Sequence, residues 1–360
     1  MPHRVTQAEL VMKTPNNQQG IALLVLVFFI ALATIAYLVK SIDTGSIKNH
    51  RNKKTAIVLS VAKTALIGYL VDNQSKPGTL PCPDINNDGS GDTSGTNSCA
   101  GYIGRLPSKQ LGLAMLEDAD GECLWYAISP VFRNQMTAAN RALNPINGTT
   151  LGSLTLVDNS GNALPASVNP VIAVVISPGA PVAGQNRSGA VTTYCSGDSV
   201  ATKYLDIKGA VNNATGNVAG NNYTFILGNQ DNTFNDRFVY IKASDIYSTL
   251  RNRMVKEILG NVSVHSGVVD YYDSYTIYPC PSASQTGNSD CTLLTGFVPY
   301  NDATLPLQYA ALGSWLVDNN WFGLASYTYY SPTHVKVTVA DAFGSNSCDA
   351  NMNTFTCTSP

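Results

Sequence analysis

The sequence has little charge and none of the short motifs that mark common enzymes. Charged residues make up 13% of the 360 residues, about half the usual share, and the net charge is −2. Neither value fits a nucleic-acid-binding surface, so nucleic acid is not an expected partner. GxSxG, HExxH and P-loop motifs are missing, and His265 and His334 are isolated in the polar part of the chain. We therefore expect a protein that is not an enzyme.

The sequence also lacks a CxxC pair, so it has no zinc-site pattern, yet it contains eight cysteines. They are Cys82, Cys99, Cys123, Cys195, Cys280, Cys291, Cys348 and Cys357. An even number beyond an apolar segment indicates disulfides in an oxidising compartment; the alternative is a set of reduced core cysteines in the cytosol. Cys82 with Cys99 and Cys280 with Cys291 close short loops. Cys123–Cys195 and Cys348–Cys357 complete the set most simply, although other connectivities stay open.

One long apolar run stands near the start, in "NNQQGIALLVLVFFIALATIAYLVKS". Nineteen uncharged residues, Ile21–Val39, begin directly after Gly20 and end at Lys40. At about 1.5 Å per residue they reach roughly 28 Å, enough to cross the hydrocarbon core of a bilayer. The run is longer than the apolar core of a secretory signal peptide, and "KSIDTGSIKNHRNKK" after it holds no small-x-small cleavage site. We expect this segment to be retained.

A short polar leader, a glycine and an immediate span resemble the prepilin signal of type IV pilins and type II secretion pseudopilins. The resemblance implies that a prepilin peptidase cuts between Gly20 and Ile21 and methylates Ile21. It also implies a leader at 1–20, an N-terminal helix at 21–74 with a transmembrane part at 21–39, and other pilins or pseudopilins as partners. The alternative is a plain signal anchor in which the glycine has no role.

The fifth residue after Gly20 departs from the family pattern. Most pilins carry Glu there, and its carboxylate offsets the amino terminus of a neighbouring subunit inside the membrane. This chain has Val25. In this respect it resembles the large minor pseudopilin that is placed at the filament tip.

The charges that flank the span disagree with the cysteines about which side the large domain occupies. Basic residues are more frequent after the span (Lys40, Lys48, Arg51, Lys53, Lys54) than before it (Arg4, Lys13). The positive-inside rule alone would place the large domain in the cytoplasm. We give more weight to the cysteines and to the site at Gly20. The expected location is a single-pass inner-membrane protein with a periplasmic head, or a pilus tip at the cell surface.

Two stretches of the head resemble each other. "LPCPDINNDGSGDTSGTNSCAGYIGRLP" and "YPCPSASQTGNSDCTLLTGFVP" share Pro-Cys-Pro, a second cysteine, and a glycine followed two residues later by Leu-Pro or Val-Pro. Helical patterns precede both, at "IVLSVAKTALIGYLVDN" and at 244–260. We expect a duplicated pilin-like unit, with globular domains at 75–243 and 244–360. Chance similarity between turn-rich stretches is the alternative.

Segments with alternating β-type residues lie between the two copies, in "SLTLVDNSGN", "NPVIAVVISPGAP", "NYTFILGN" and "NDRFVYIKASDI". The expected fold class is therefore α+β and disulfide-rich, with a long N-terminal transmembrane helix packed on an antiparallel sheet. Asp43, Thr44 and Gly45 predict an interruption in that helix. The aromatic run "WFGLASYTYY" fits a strand with core residues, and a binding platform is the other interpretation.

The stretch "DINNDGSGD" has the spacing of a calcium loop. Its candidate ligands are Asp84, Asn86, Asp88, Ser90 and Asp92, with Gly89 at the turn. Gly95 stands where the loop needs a bidentate Glu, so a carbonyl oxygen or a distant carboxylate such as Asp118 or Asp120 would have to supply the ligand. The alternative is a turn rich in Asp and Asn that is held by the Cys82–Cys99 loop.

These observations together favour a minor pilin-like or pseudopilin-like subunit of a type IV pilus or a type II secretion system. Such a subunit acts by assembly and surface contact, near the tip of a filament. The rival hypothesis is a monomeric, membrane-anchored periplasmic protein that binds or transforms a ligand and never polymerises.

Overall fold

The computed structural model describes residues 18–41, 44–96, 98–134, 137–187, 194–220, 222–305, 307, 309, 312–352 and 354–358. The chain divides into two compact units, Met1–Asn52 and Lys53–Pro360.

The described residues contain six α-helices and fifteen strands, with four short 3-10 turns. The helices are α1 (Gln18–Ser41), α2 (Thr44–Asp72), α3 (Ala138–Leu143), α4 (Ala243–Leu259), α5 (Gly267–Tyr275) and α6 (Gly313–Asp318). The strands are β1 (Thr93–Ser94), β2 (Ser98–Cys99), β3 (Ile103–Arg105), β4 (Trp125–Ile128), β5 (Leu154–Val157), β6 (Ala173–Ser177), β7 (Ile207–Lys208), β8 (Val211–Asn212), β9 (Tyr223–Ile226), β10 (Arg237–Ile241), β11 (Thr295–Gly296), β12 (Ala325–Ser331), β13 (His334–Asp341), β14 (Gly344–Asn351) and β15 (Thr354–Thr358). The 3-10 turns are Pro130–Phe132, Ala201–Lys203, Val262–Val264 and Phe322–Leu324.

Two antiparallel sheets organise the larger unit. The first has the strand order β3-β4-β6-β10, and the second has the order β11-β12-β13-β14-β15. In both sheets the strands follow one another in chain order. A separate parallel pair, β5 with β9, covers part of the first sheet, because Leu154, Leu156 and Phe225 share a hydrophobic cluster with Trp125 and Val174.

The part of α2 within the larger unit is a core helix. Leu59, Ala62, Leu66 and Leu70 recur at intervals of three and four, so they lie on one face, and all four are buried. Ile57 and Val61 belong to the same apolar segment of the sequence. These two are 53% and 40% exposed, so they lie outside the face that Leu59, Ala62, Leu66 and Leu70 bury.

Helix α4 begins and ends with recognisable caps. The Asp245 carboxylate accepts the N–H of Lys242 at 3.2 Å, and Gly260 closes the helix with a φ of 83°. Asp245 also pairs with Lys63 of α2 at 2.7 Å. Arg253 donates to the carbonyls of Val71 and Asn73, which the end of α2 leaves without helical partners.

A buried ion pair fixes α4 to the second sheet. Arg251 lies 2.6 Å from Asp341, and their side chains are 1% and 0% exposed. Arg251 also donates to the side chain of Asn346 at 3.1 Å. Because two charges removed from water need each other, loss of either partner would strongly destabilise this contact.

One hydrophobic core joins the two expected globular domains. Its largest cluster combines residues of α2, α4, the first sheet and the second sheet, among them Leu66, Tyr126, Leu250 and Tyr327. The expected boundary at residues 243 and 244 therefore lies inside one compact unit. The mixed composition of helices and antiparallel sheets, and the four β-type segments, agree with the sequence prediction.

Candidate functional site

The N-terminal helix α1 carries the candidate processing site. Gly20 and Ile21 lie in its first turn, which begins at Gln18. The side chains from Leu23 to Tyr37 are all uncharged and exposed, and Thr34 donates its hydroxyl to the carbonyl of Ala31 at 2.8 Å. A helix that satisfies its polar groups internally while presenting apolar side chains suits a lipid environment. Asp43 of the expected interruption lies outside the described residues, and Thr44 and Gly45 begin α2.

Among the residues that the structure describes, Ile47–Asp72 is the one helix long and apolar enough to cross a membrane, and Leu23–Tyr37 is a shorter apolar helix. Ile47–Asp72 contains His50, Arg51, Lys53 and Lys54, and its apolar face is buried in the head. We therefore regard it as a core helix, and α1 is the candidate anchor.

The four disulfides join the cysteines as the sequence analysis paired them. The pairs are Cys82–Cys99, Cys123–Cys195, Cys280–Cys291 and Cys348–Cys357. The first and third close short loops, the second joins residues 72 apart in sequence, and the fourth crosses between β14 and β15. All eight cysteines are thus used.

The candidate calcium loop is held by its own backbone. Asp84 is fully buried and accepts N–H groups from Asn87 at 2.6 Å, from Asp88 at 3.2 Å and from Gly89 at 2.7 Å. Burial raises the pKa of Asp84, and these three N–H groups oppose that shift. Asp84 is therefore the organising side chain of this turn.

Asp88 and Asp92 also face backbone N–H donors. Asp92 accepts the N–H groups of Ile85 at 2.7 Å and Asn86 at 3.0 Å, and Asp88 accepts that of Ser90 at 2.8 Å. This geometry favours a turn of backbone-binding side chains. In the described part of the chain, no group of three or more His, Cys, Asp or Glu residues is placed to hold a metal ion. Calcium binding stays a prediction.

Asp118 and Asp120, the expected supplementary ligands, belong to another turn. One Asp118 oxygen accepts the N–H groups of Asp120 at 2.8 Å and Glu122 at 3.1 Å. The other accepts the hydroxyl of Ser177 at 2.7 Å and the N–H of Gly179 at 3.0 Å. Asp118 therefore ties its own turn to the end of β6.

The loops closed by Cys82–Cys99 and Cys280–Cys291 share one main-chain geometry. Asp84 and Arg105 exchange N–H···O=C bonds at 3.0 and 2.7 Å, and Ser282 and Phe297 do so at 2.9 and 2.8 Å. Inside the loops, Asp92 donates its N–H to the Pro83 carbonyl at 3.0 Å. Asp290 likewise donates to the Pro281 carbonyl at 2.8 Å.

The glycines that follow the two loops occupy matching positions. Gly104 pairs with Tyr126 across β3 and β4, and Gly296 pairs with Tyr327 across β11 and β12. A Cβ at Gly104 would lie 2.7 Å from the carbonyl oxygen of Asp84, and one at Gly296 would lie 2.3 Å from that of Ser282. Both positions exclude a side chain because the loop backbone passes directly over them.

Arg105 is a buried cation that the sequence analysis did not single out. Its guanidinium lies 4.3 Å from the ring centroids of both Trp125 and Tyr204, and it donates to the carbonyls of Cys123 at 3.0 Å and Asp198 at 2.9 Å. The residue is 1% exposed. In the other loop Phe297 takes the corresponding place. The contrast between "GRLP" and "GFVP" is therefore the sequence feature that could have pointed to Arg105. Arg105 stabilises the first loop rather than offering a free charge.

The histidines and the aromatic run form no catalytic arrangement among the described residues. His265 is exposed and lies 3.1 Å from Asp270, and His334 lies 3.4 Å from Asp349. In the aromatic run, Trp321, Phe322 and Tyr327 are buried, whereas Tyr330 is 54% exposed. The run is therefore mainly part of the core and of β12.

Comparisons of this chain with protein-family models, curated proteins and solved structures find no match. Its function is therefore argued from its own residues.

Proposed function

We propose that this chain is a membrane-anchored subunit of the prepilin type, which acts by assembly and contact rather than by catalysis. The observation that carries the proposal is the apolar, exposed helix whose first turn contains Gly20 and Ile21, the residues of the prepilin-like cleavage site. The head that follows has the composition and disulfides of a protein outside the cytoplasm.

The four disulfides support a periplasmic or surface-exposed head. Such bonds persist where the environment is oxidising and are rare where thiols are kept reduced. This argument outweighs the basic residues after the span, which alone would favour a cytoplasmic head. In this proposal α1 crosses the inner membrane once.

The architecture of the larger unit supports the pilin-like interpretation. The second half of α2 buries its apolar face in a core that also contains strands of an antiparallel sheet. The resemblance to type IV pilins implies the same arrangement, in which a long N-terminal helix packs on a sheet.

We also propose that the head contains a duplicated unit. The matched backbone bonds at Asp84 and Ser282, the matched glycines and the matched disulfides support it. Each loop is followed by an antiparallel sheet whose strands run in chain order. The agreement in both hydrogen bonds and strand register favours duplication over a chance similarity of two turns.

Val25 supports a position for this subunit at the end of a filament. Stacking many copies would bring one ammonium group per subunit into apolar surroundings, and Val25 supplies no carboxylate to offset it. A minor subunit at the tip avoids that repeated cost. If the purified chain alone forms long filaments, the tip assignment is wrong. If Val25→Glu leaves its copy number in the pilus unchanged, the charge argument is wrong.

Cleavage after Gly20 tests the proposed class of protein. Co-expression with a prepilin peptidase should shorten the full chain by its leader, and omission of the peptidase should leave it uncut. A chain that the peptidase never shortens supports the rival, a monomeric anchored protein.

A further inference from the structure

Strand β15 is one of the two outer strands of the second sheet. It pairs with β14 over its whole length, from Asn351 opposite Thr354 to Ser347 opposite Thr358, without a bulge. Among the described residues no other strand pairs with its far side. The strand therefore presents an open edge of main-chain donors and acceptors.

This edge lacks the features that usually keep sheet edges apart. The residues "TFTCT" contain no charge, no proline and no glycine, and they have high β propensity. Strand β10, an outer strand of the first sheet, differs because it begins with the charged residue Arg237. The disulfide Cys348–Cys357 holds β15 against its neighbour, so this edge is a fixed template rather than a fraying end.

The ladder pattern identifies the outward-facing groups. Only two residues separate β14 from β15, so Asn351 and Thr354 form the hydrogen-bonded pair that closes the hairpin. The alternation then directs the N–H and C=O groups of Thr354, Thr356 and Thr358 toward β14. Cys348 and Cys357 form an intervening pair with a Cα–Cα distance of 4.0 Å, as expected for residues that exchange no hydrogen bonds. The main-chain groups of Phe355 and Cys357 therefore point away from the sheet.

We propose that β15 pairs with β15 of a second copy of this chain. In antiparallel orientation, Phe355 faces Cys357 of the other copy, and the two-fold axis passes beside Thr356. Both outward residues then exchange their N–H and C=O groups, which gives four main-chain hydrogen bonds. An uncharged strand can meet its own copy without like-charge repulsion. The pairing joins two five-stranded sheets into one.

This contact closes at two copies. An isologous interface uses the same surface on both partners, so it cannot propagate into a filament. The inference does not rest on the proposed function, because it depends only on β15 and its neighbours.

Two double variants test the pairing and its register. Thr354 and Thr358 are exposed. In the proposed register, Thr354 of one copy lies opposite Thr358 of the other copy. Thr354→Lys with Thr358→Lys places like charges opposite each other and should weaken the dimer about tenfold or more. Thr354→Lys with Thr358→Glu places opposite charges together and should preserve it. Both variants replace the same two threonines and differ only in the sign of the charge at residue 358. Each variant therefore serves as the control for the other.

The measurement is sedimentation velocity of the full chain in detergent over a range of concentrations. Amide hydrogen exchange adds a residue-specific readout, in which Phe355 and Cys357 should become protected as the dimer forms. Thr356 should be protected at every concentration by β14. A chain that stays monomeric, or a dimer that both double variants affect equally, would overturn the proposal.

Discussion

Tyr327 donates its hydroxyl to the carbonyl oxygen of Pro279 at 2.9 Å, in the interior of the head. The same relationship recurs in the first loop, where the hydroxyl of Tyr126 donates to the carbonyl of Pro81 at 3.2 Å. Each tyrosine thus holds the residue that precedes the first cysteine of its loop. Burial raises the pKa of both hydroxyls, so both remain protonated donors.

Removal of either hydroxyl should destabilise the head to a similar extent. Tyr126→Phe and Tyr327→Phe each leave a buried carbonyl without its donor, at a cost of about 1–2 kcal/mol. Urea unfolding followed by tryptophan fluorescence measures this, because Trp125, Trp315 and Trp321 are all buried in the head. Tyr330→Phe is the control, since Tyr330 is exposed, and it should have little effect. If only one of the two variants lowers the free energy of unfolding, the two tyrosines do not have equivalent roles.

The two short disulfides should each contribute measurably to stability. Replacing Cys82 and Cys99 together with Ala, or Cys280 and Cys291 together, releases a loop constraint and should cost about 2–4 kcal/mol. Peptide mapping without reductant checks the pairing itself. Detection of free thiols at these four cysteines in protein from the native compartment would contradict the assignment.

Stability should rise as the pH falls from 8 toward 5, because of a buried carboxyl pair. Asp236 accepts the N–H of Asp206 at 2.9 Å, and Asp206 accepts the N–H groups of Asn235 at 2.6 Å and Asp236 at 3.1 Å. Burial raises the pKa of both carboxyls, and the charge of Asp206 raises that of Asp236 further. The folded chain then holds protons that the unfolded chain releases, so acidification toward the ordinary carboxyl range favours folding.

Asp236→Asn tests this pH dependence, because an amide preserves the acceptor but does not titrate. The free energy of unfolding of this variant should change less between pH 8 and pH 5. Asp231→Asn is the matched control: the Lys208 ammonium 2.9 Å away lowers the pKa of Asp231, so Asp231 stays ionised between pH 5 and pH 8 and its replacement should leave the pH dependence in that range unchanged. If the free energy of unfolding depends on pH equally in the original chain and in Asp236→Asn, the buried carboxyl pair is not the origin of the pH dependence.

Calcium should raise the melting temperature if the Asp84 loop binds it, because a ligand of the folded state stabilises by mass action. The response should be reversed by a chelator and reduced in Asp88→Ala. Asp290→Ala alters the second loop, at the position that matches Asp92, and should leave the response intact. If calcium raises the melting temperature of Asp88→Ala as much as that of the original chain, this loop is not the calcium site.

Local sequence patterns anticipated much of the secondary structure. The β-branched segments around Leu154, Ala173, Tyr223 and Arg237 form strands, because their turn signals and side chains agree with the pleated conformation. Helix α4 was expected at 244–260 and spans Ala243–Leu259. The cysteine pairs followed from loop closure between neighbours in the chain.

Contacts between distant residues were not readable in the same way. The parallel pairing of β5 with β9 depends on packing over the first sheet, and no local pattern specifies it. Arg105 meets Tyr204 only because the fold brings together residues that are far apart in the chain. The exposure of Ile57 and Val61 likewise depends on which face of α2 the rest of the head covers. The periodicity of apolar residues indicates that one face of α2 is buried, and the tertiary packing determines which residues form that face.

The N-terminal mass of the chain, purified from membranes of cells that contain a prepilin peptidase, tests the central claim most directly. The account predicts a mature chain that begins with N-methylated Ile21, and a Gly20→Val variant, in which the new side chain blocks the cut, should keep its leader. Chains of both kinds that retain residues 1–20, with Ile21 unmethylated, would contradict a prepilin-type subunit and favour a plain membrane anchor.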